Sequence, residues 1–174
     1  DKTPFEQFRD TIMPSLLAAR ASSRRIRIWC AAASTGQEPY SLAICLKEMG
    51  KDLKGWRVDI VASDISVEVL DKAKSGIYSQ FEVLRGLPIQ LLARHFHHEG
   101  GEWRISSSIR KRVQFEVFNL LDSFESLGQF DLIFCRNVLI YFDPPLKHDV
   151  LGRLSDALAP DGYLVLGSAE TGLG

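Results

Sequence analysis

Four short segments put polar side chains where an apolar run ends. Residues 31–41, Ala-Ala-Ala-Ser-Thr-Gly-Gln-Glu-Pro-Tyr-Ser, join an apolar strand to an amphipathic helix through a run of small residues, with Glu38 at the helix entrance. The small side chains, Ala33 among them, let a ligand approach the backbone closely. An acid at that point suits a cationic amino group and repels a phosphate. The three-glycine spacing of a dinucleotide fingerprint and the lysine of a P-loop are both missing, which argues against a pyrophosphate guest. Residues 57–66 read as a second strand ending in Asp64, where this topology offers an acid to ribose hydroxyls. Asn119 follows a further strand, and Arg136-Asn137 another. An amide donates and accepts at once, which suits an adenine edge or an amino-acid group. Tyr141 carries a hydroxyl on an apolar body, and can either line the path of a reacting group or pack at a strand-helix junction.

Together these side chains ask for a nucleoside with a positive tail and no phosphate. S-adenosylmethionine has that chemistry: a ribose, an α-amino group and a sulfonium. A plainer reading stays open, in which Asp64 and Glu38 only cap the helices that begin at 67 and 39. Other candidates carry less. His95-Phe-His-His98 lacks a cysteine or carboxylate at ligand spacing and precedes a Gly-Gly turn, so it reads as surface histidines and no metal is expected. Arg110-Lys-Arg112 is ordinarily a solvated face, although on a projecting hairpin it could meet an acidic partner. Ser34, Thr35 and Ser41 have no partnered His and acid, and no G-x-S-x-G elbow is present, so a hydrolase is not indicated.

The elements that must position these residues alternate. Strands are expected over 26–30, 58–62, 113–118, 130–135 and 163–167, and helices over 4–21, 39–49, 67–75, 89–95 and 144–158. The segment 130–135 is almost continuously apolar, as a central strand buried on both faces requires. Such alternation predicts an α/β fold, a mostly parallel sheet covered on both sides. Residues 96–112 break it with the Gly100-Gly101 turn signal, and read as a small antiparallel insertion.

The 174 residues allow one well-buried domain. With 45% hydrophobic and 25% charged residues the composition is globular, and a formal net charge of -1 gives no overall pull toward nucleic acid or an anionic membrane. Cys30, Cys45 and Cys135 show no CxxC spacing and read as free buried thiols, so a reducing, cytoplasmic location is expected. No apolar run is long enough to span a bilayer.

The set 31–41, Ala-Ser-Asp-Ile-Ser (62–66), Phe-Asn-Leu-Leu (118–121) and Phe-Cys-Arg-Asn-Val-Leu-Ile-Tyr-Phe-Asp (134–143) resembles bacterial chemotaxis receptor methyltransferases of the CheR type, in order and over nearly the whole chain. The resemblance implies a Rossmann-like S-adenosylmethionine-dependent fold, with residues 1–174 as one catalytic domain and about 96–112 as an inserted β-subdomain. It implies that Glu38 binds the cofactor's amino-acid portion, Asp64 the ribose, and Asn119 and Leu120 the adenine region. Arg136, Asn137 and Tyr141 would border the methyl group and incoming substrate. The implied activity is methyl transfer to glutamates on the cytoplasmic helices of methyl-accepting chemoreceptors, leaving S-adenosylhomocysteine. Compared with that family the chain looks trimmed at both ends: an amino-terminal helical domain, an arginine and a threonine are expected upstream of Asp1, and closing strands beyond Gly167-Ser-Ala-Glu-Thr171. The hairpin within 97–112 looks short beside those of members that grip a receptor's carboxyl-terminal pentapeptide, so recognition independent of such a tether is expected. A small-molecule methyltransferase and a noncatalytic cofactor sensor remain as alternative readings.

Overall fold

The computed structural model describes residues 3–83 and 89–167. Asp1, Pro88 just before the helix expected over 89–95, and the run 168–171 lie outside the described residues. The chain opens on one continuous coil whose hydrogen bonding changes twice: α1 (Pro4–Gln7), a π turn over Phe8–Ile12, and α2 (Met13–Ala19). Pro14 accounts for the wide turn. Its nitrogen has no hydrogen to give and its ring crowds the carbonyl four residues back, so the backbone widens and the Met13 N–H reaches Phe8 O.

There follow β1 (Arg25–Cys30), α3 (Gln37–Met49), β2 (Arg57–Asp64), α4 (Val67–Ser75), β3 (Ile77–Tyr78), α5 (Gln80–Val83), α6 (Ile89–His95), β4 (Phe96–Glu99), β5 (Glu102–Ile105), α7 (Ser107–Arg110), β6 (Val113–Val117), β7 (Phe130–Cys135), α8 (Pro144–Asp156) and β8 (Leu158–Leu166). The main sheet has the order β6-β2-β1-β7-β8, with every neighbouring pair parallel. The expected α/β architecture is therefore the observed one.

Strand alternation sorts side chains between two cores, one on each face. Ile28, Cys30, Ile60, Ala62, Leu132 and Phe134 join Phe8, Met13, Leu16, Leu42 and Leu46 on one side. Trp29, Val61, Ile133 and Cys135 join Val150 and Leu154 of α8 on the other. A fully buried aliphatic side chain contributes roughly 1.5–3 kcal/mol. A one-residue slip would exchange the faces of a whole strand, so the register of β1, β2 and β7 is fixed by these two cores.

Two expected elements differ by more than one or two residues at an end. β8 begins at Leu158 rather than 163, because Phe130 pairs with Leu158 and, after a register shift, Leu132 pairs with Tyr163. The extra residues include Pro160-Asp161-Gly162, between the expected helix 144–158 and strand 163–167, and are taken up by that irregularity. The small antiparallel sheet is real, but it is three-stranded, in the order β3-β5-β4, and recruits Ile77–Tyr78 from outside the expected insertion. Its hairpin turns at Gly100-Gly101, both at positive φ. Among the described residues no helix is long and apolar enough to cross a membrane.

Candidate active site

The chain runs β1, β2, β6 toward one edge and then returns to place β7 on the other side of β1. That reversal leaves a crevice beyond the carboxyl ends of β1 and β7, where open α/β sheets hold ligands. A cavity of about 660 Å³ lies there, within the roughly 300–1,000 Å³ of small-molecule sites. It is lined by Ala33, Glu38, Asp64, Arg136, Asn137 and Tyr141, and also by Phe5 and Leu42.

Residues 31–36, between β1 and α3, form one wall, and hydrogen bonds from several directions hold them. Ala31 N–H donates to Phe134 O at 2.8 Å, and Ala33 N–H to Ser63 O at 2.8 Å. Ser34, at φ 50°, donates its N–H to Asp64 Oδ2 at 3.0 Å. Asp64 Oδ1 accepts from Ser66 N–H at 3.1 Å. A carboxylate has about four acceptor sites, so these two bonds fix its orientation and leave capacity for two hydroxyls of a ligand. The cap of α4 is Ser66, whose hydroxyl accepts from Val69 N–H, so Asp64 is not that helix's cap. Beneath the loop, Ser63 Oγ accepts from buried Trp29 Nε1 at 2.9 Å and donates to Ala31 O at 3.2 Å.

Glu38 is not a cap either. Gly36, at φ 95°, holds the N-cap position of α3, and no side chain caps the helix. Glu38 Oε2 instead accepts from Arg136 Nη1 at 3.0 Å, with both side chains largely covered. Burial pushes the Glu38 carboxyl above its ordinary range, and the Arg136 guanidinium offsets part of that shift. Among the described residues Arg136 Nε is buried without a hydrogen-bond partner. Tyr141 stands 78% exposed at the cavity's lining, beside Ile140, also exposed.

Not every expected site residue meets there. Asn119 and Leu120 follow β6, two strands from the reversal, and do not line the cavity. Asn119 Oδ1 accepts from Leu121 N–H at 2.9 Å in a local turn, while Leu120 is buried in the core that contains Trp29. Thr3, Pro4 and Phe5, at the start of the helix expected over 4–21, also line the cavity. Apolar spacing gave no signal for that. Of the expected surface histidines, His97 and His98 are exposed, but His95 is 8% exposed and its Nε2 lies 2.9 Å from Glu48 Oε2. The basic run 110–112 closes α7 and leads into β6, and Arg110 Nη1 donates to Ser75 O.

Residues 1–172 match the family described as CheR methyltransferase, SAM binding domain. The chain belongs to the CheR methyltransferase family. It is 46% identical over 174 residues to chemotaxis protein methyltransferase 1 of Pseudomonas aeruginosa, an alignment covering 98% of this chain and 63% of that protein. To the Escherichia coli chemotaxis protein methyltransferase it is 44% identical over 172 residues, covering 94% and 59%. The chain thus spans less than two thirds of these CheR relatives. Two solved structures share the fold: a DhpI–SAH complex (TM-score 0.50, 18% identity, 94% of this chain and 59% of that one) and PKMT2 of Rickettsia typhi with AdoHcy (TM-score 0.50, 14% identity, 82% and 21%).

S-adenosylmethionine is the cofactor of this CheR domain, and the residues present fit it. Among the described residues, two acids, Glu38 and Asp64, and one cation, Arg136, line the cavity. That balance suits a ligand with positive amino and sulfonium groups and a carboxylate.

Proposed function

We propose that the chain is the catalytic domain of a cytoplasmic methyltransferase that esterifies glutamate side chains on chemoreceptor helices. The observation that carries this reading is the convergence of Glu38, Asp64, Arg136, Asn137 and Tyr141 on one cavity at the sheet's reversal point, in a chain of the CheR family. When bound, the cofactor supplies an electrophilic methyl on a sulfonium.

Asp64 holds the ribose, with its orientation set by the Ser34 and Ser66 amides. Glu38 attracts the α-amino group, and Arg136 keeps Glu38 charged and aimed. Asn119 and Leu120 serve the adenine region once the ligand extends past the cavity toward β6. Asn137 and Tyr141 border the methyl group, where the exposed Tyr141 meets the incoming substrate. Arg136 also borders it and acts as a catalytic donor to the acceptor carboxylate. No general base is required of these residues, because a glutamate nucleophile, with a reference pKa of about 4.3, is already ionised near neutral pH. What the protein must do is align the acceptor and exclude water.

Receptor recognition proceeds at the methylated helices themselves, without a carboxyl-terminal tether. Incubation of the protein with labelled cofactor and receptor cytoplasmic fragments tests the reaction: label released as methanol in base is expected, as from a glutamyl ester. Base-stable label on another acceptor would point to a different methyltransferase, and binding without transfer by a longer version of the chain would point to a sensor.

A further inference from the structure

The small antiparallel sheet is usually easiest to regard as an appendage to the parallel one, but one side chain crosses between them. Tyr78 of β3 is 2% exposed, and its hydroxyl donates to Thr35 O at 2.6 Å. Thr35 belongs to the loop 31–36 that walls the cavity. Gly36 follows at φ 95°, and a Cβ there would meet Ala73 Cβ at 2.8 Å and the Tyr78 hydroxyl at 3.0 Å. The loop is therefore pressed against α4 and β3 at the point where α3 begins.

Other hydrogen bonds to the loop come from the main sheet, at Phe134 O of β7 and Ser63 O and Asp64 Oδ2 of β2, and from α3, where Thr35 Oγ1 donates to Gln37 Oε1. Only Tyr78, among the contacts described, reaches it from the small sheet. Tyr78 is itself braced by that sheet. It pairs with Trp103 across β3 and β5, its ring meets Phe96 of β4 edge-on at 6.4 Å, and it meets Tyr40 of α3 at 6.4 Å. Among the described residues Thr35 O accepts from no helix or strand N–H, so the hydroxyl fixes a peptide that would otherwise turn.

We infer that Tyr78 is a positioning residue for cofactor binding: through its hydroxyl, the small antiparallel sheet sets the conformation of residues 33–36 and thereby the placement of Ser34, Asp64 and Glu38 around the ligand. This rests on the proposed function in taking the cavity for the S-adenosylmethionine site. The contribution is preorganisation, since a loop already held in its binding conformation need not be ordered by the ligand.

Two substitutions separate positioning from general stability. Tyr78→Phe removes the hydroxyl that reaches the loop and keeps the ring. Tyr40→Phe removes an equally short buried bond, Tyr40 Oη to Ala73 O at 2.6 Å, which does not end on the loop. Calorimetric titration with S-adenosylhomocysteine and amide hydrogen exchange of the ligand-free chain are read on both. Tyr78→Phe is expected to weaken binding about tenfold and to speed exchange of the Gly36 amide, which donates to Ala33 O. Tyr40→Phe is expected to leave both within about twofold. Unchanged affinity and exchange in Tyr78→Phe would overturn the inference, as would equal losses in the two variants. If the unaltered chain takes no S-adenosylhomocysteine the proposed function falls, and the exchange comparison still decides whether Tyr78 holds the loop.

Discussion

The pair Glu38 and Arg136 lies 98 positions apart in sequence and 3.0 Å apart in space, and it sets the electrostatics of the cavity. Because burial raises the Glu38 pKa, the folded chain holds that proton more tightly than the unfolded chain does. For this group stability falls as pH rises from the ordinary carboxylate value through the raised one. Ligand affinity runs the other way: the neutral acid no longer attracts an amino group, so binding of S-adenosylhomocysteine should weaken as pH falls through the same window. Calorimetry across that range should show the trend in the unaltered chain and lose it in Glu38→Gln. Asp64 gives a second outcome. On the proposed function its bonds to a ribose would be charge-assisted, each about 1.5–3 kcal/mol, so Asp64→Ala should weaken binding tenfold or more, about 1.4 kcal/mol per factor of ten. Unchanged affinity in a folded Asp64→Ala protein would remove Asp64 from the site.

At the scale of elements, the loop between β1 and α3 depends on a residue without a side chain. Gly36→Ala combines a left-handed φ of 95° with a Cβ placed 2.8 Å from Ala73 Cβ. The conformational cost is about 1–2 kcal/mol and overpacking adds about 1–3. Thermal unfolding should therefore show a midpoint several degrees lower, at about 2–4 °C per kcal/mol for a chain of this size. Much at this scale is legible in the sequence. The apolar run 130–135 is β7, the alternation of Ile28, Trp29 and Cys30 sorts into the two cores, and Asp143 before two prolines starts α8 with its carboxylate accepting from Leu146 N–H. What is not legible depends on contacts made in three dimensions. A strand as short as Ile77–Tyr78 has no period to read. The π turn needs the context of Pro14 inside a packed helix, and the register shift in β8 is a property of its pairing with β7. The candidate site divides in the same way: a helix entrance and two strand ends draw attention to Glu38, Asp64 and Arg136, which line one cavity, but nothing in spacing tells that the last pairs with the first.

At the scale of the molecule, the question is how a domain with this cavity finds its substrate. Peptides that tether an enzyme by β-augmentation add a strand to an exposed sheet edge, and affinity comes from the backbone groups that edge leaves free. The small sheet offers two edges, β3 with two residues and β4 with four. A strand directs only half of its N–H and C=O groups to either side, so β4 presents a short ladder and β3 scarcely any. The hairpin closes tightly at Gly100-Gly101, leaving no long loop to extend the edge, and Glu99 faces Glu102 beside that turn. Two acids there repel the carboxylate in which a receptor's terminal pentapeptide ends. Trp103 stacks on His98 with ring centroids 4.4 Å apart, but its Nε1 is buried on the central strand and offers no donor to a peptide at the edge. The short edge and the paired acids both oppose binding. Calorimetry of the protein with a receptor carboxyl-terminal pentapeptide should therefore give no detectable heat at micromolar concentrations, with recognition resting on the helices that carry the glutamates; a micromolar dissociation constant would show that four residues of β4 suffice and that the tether is used.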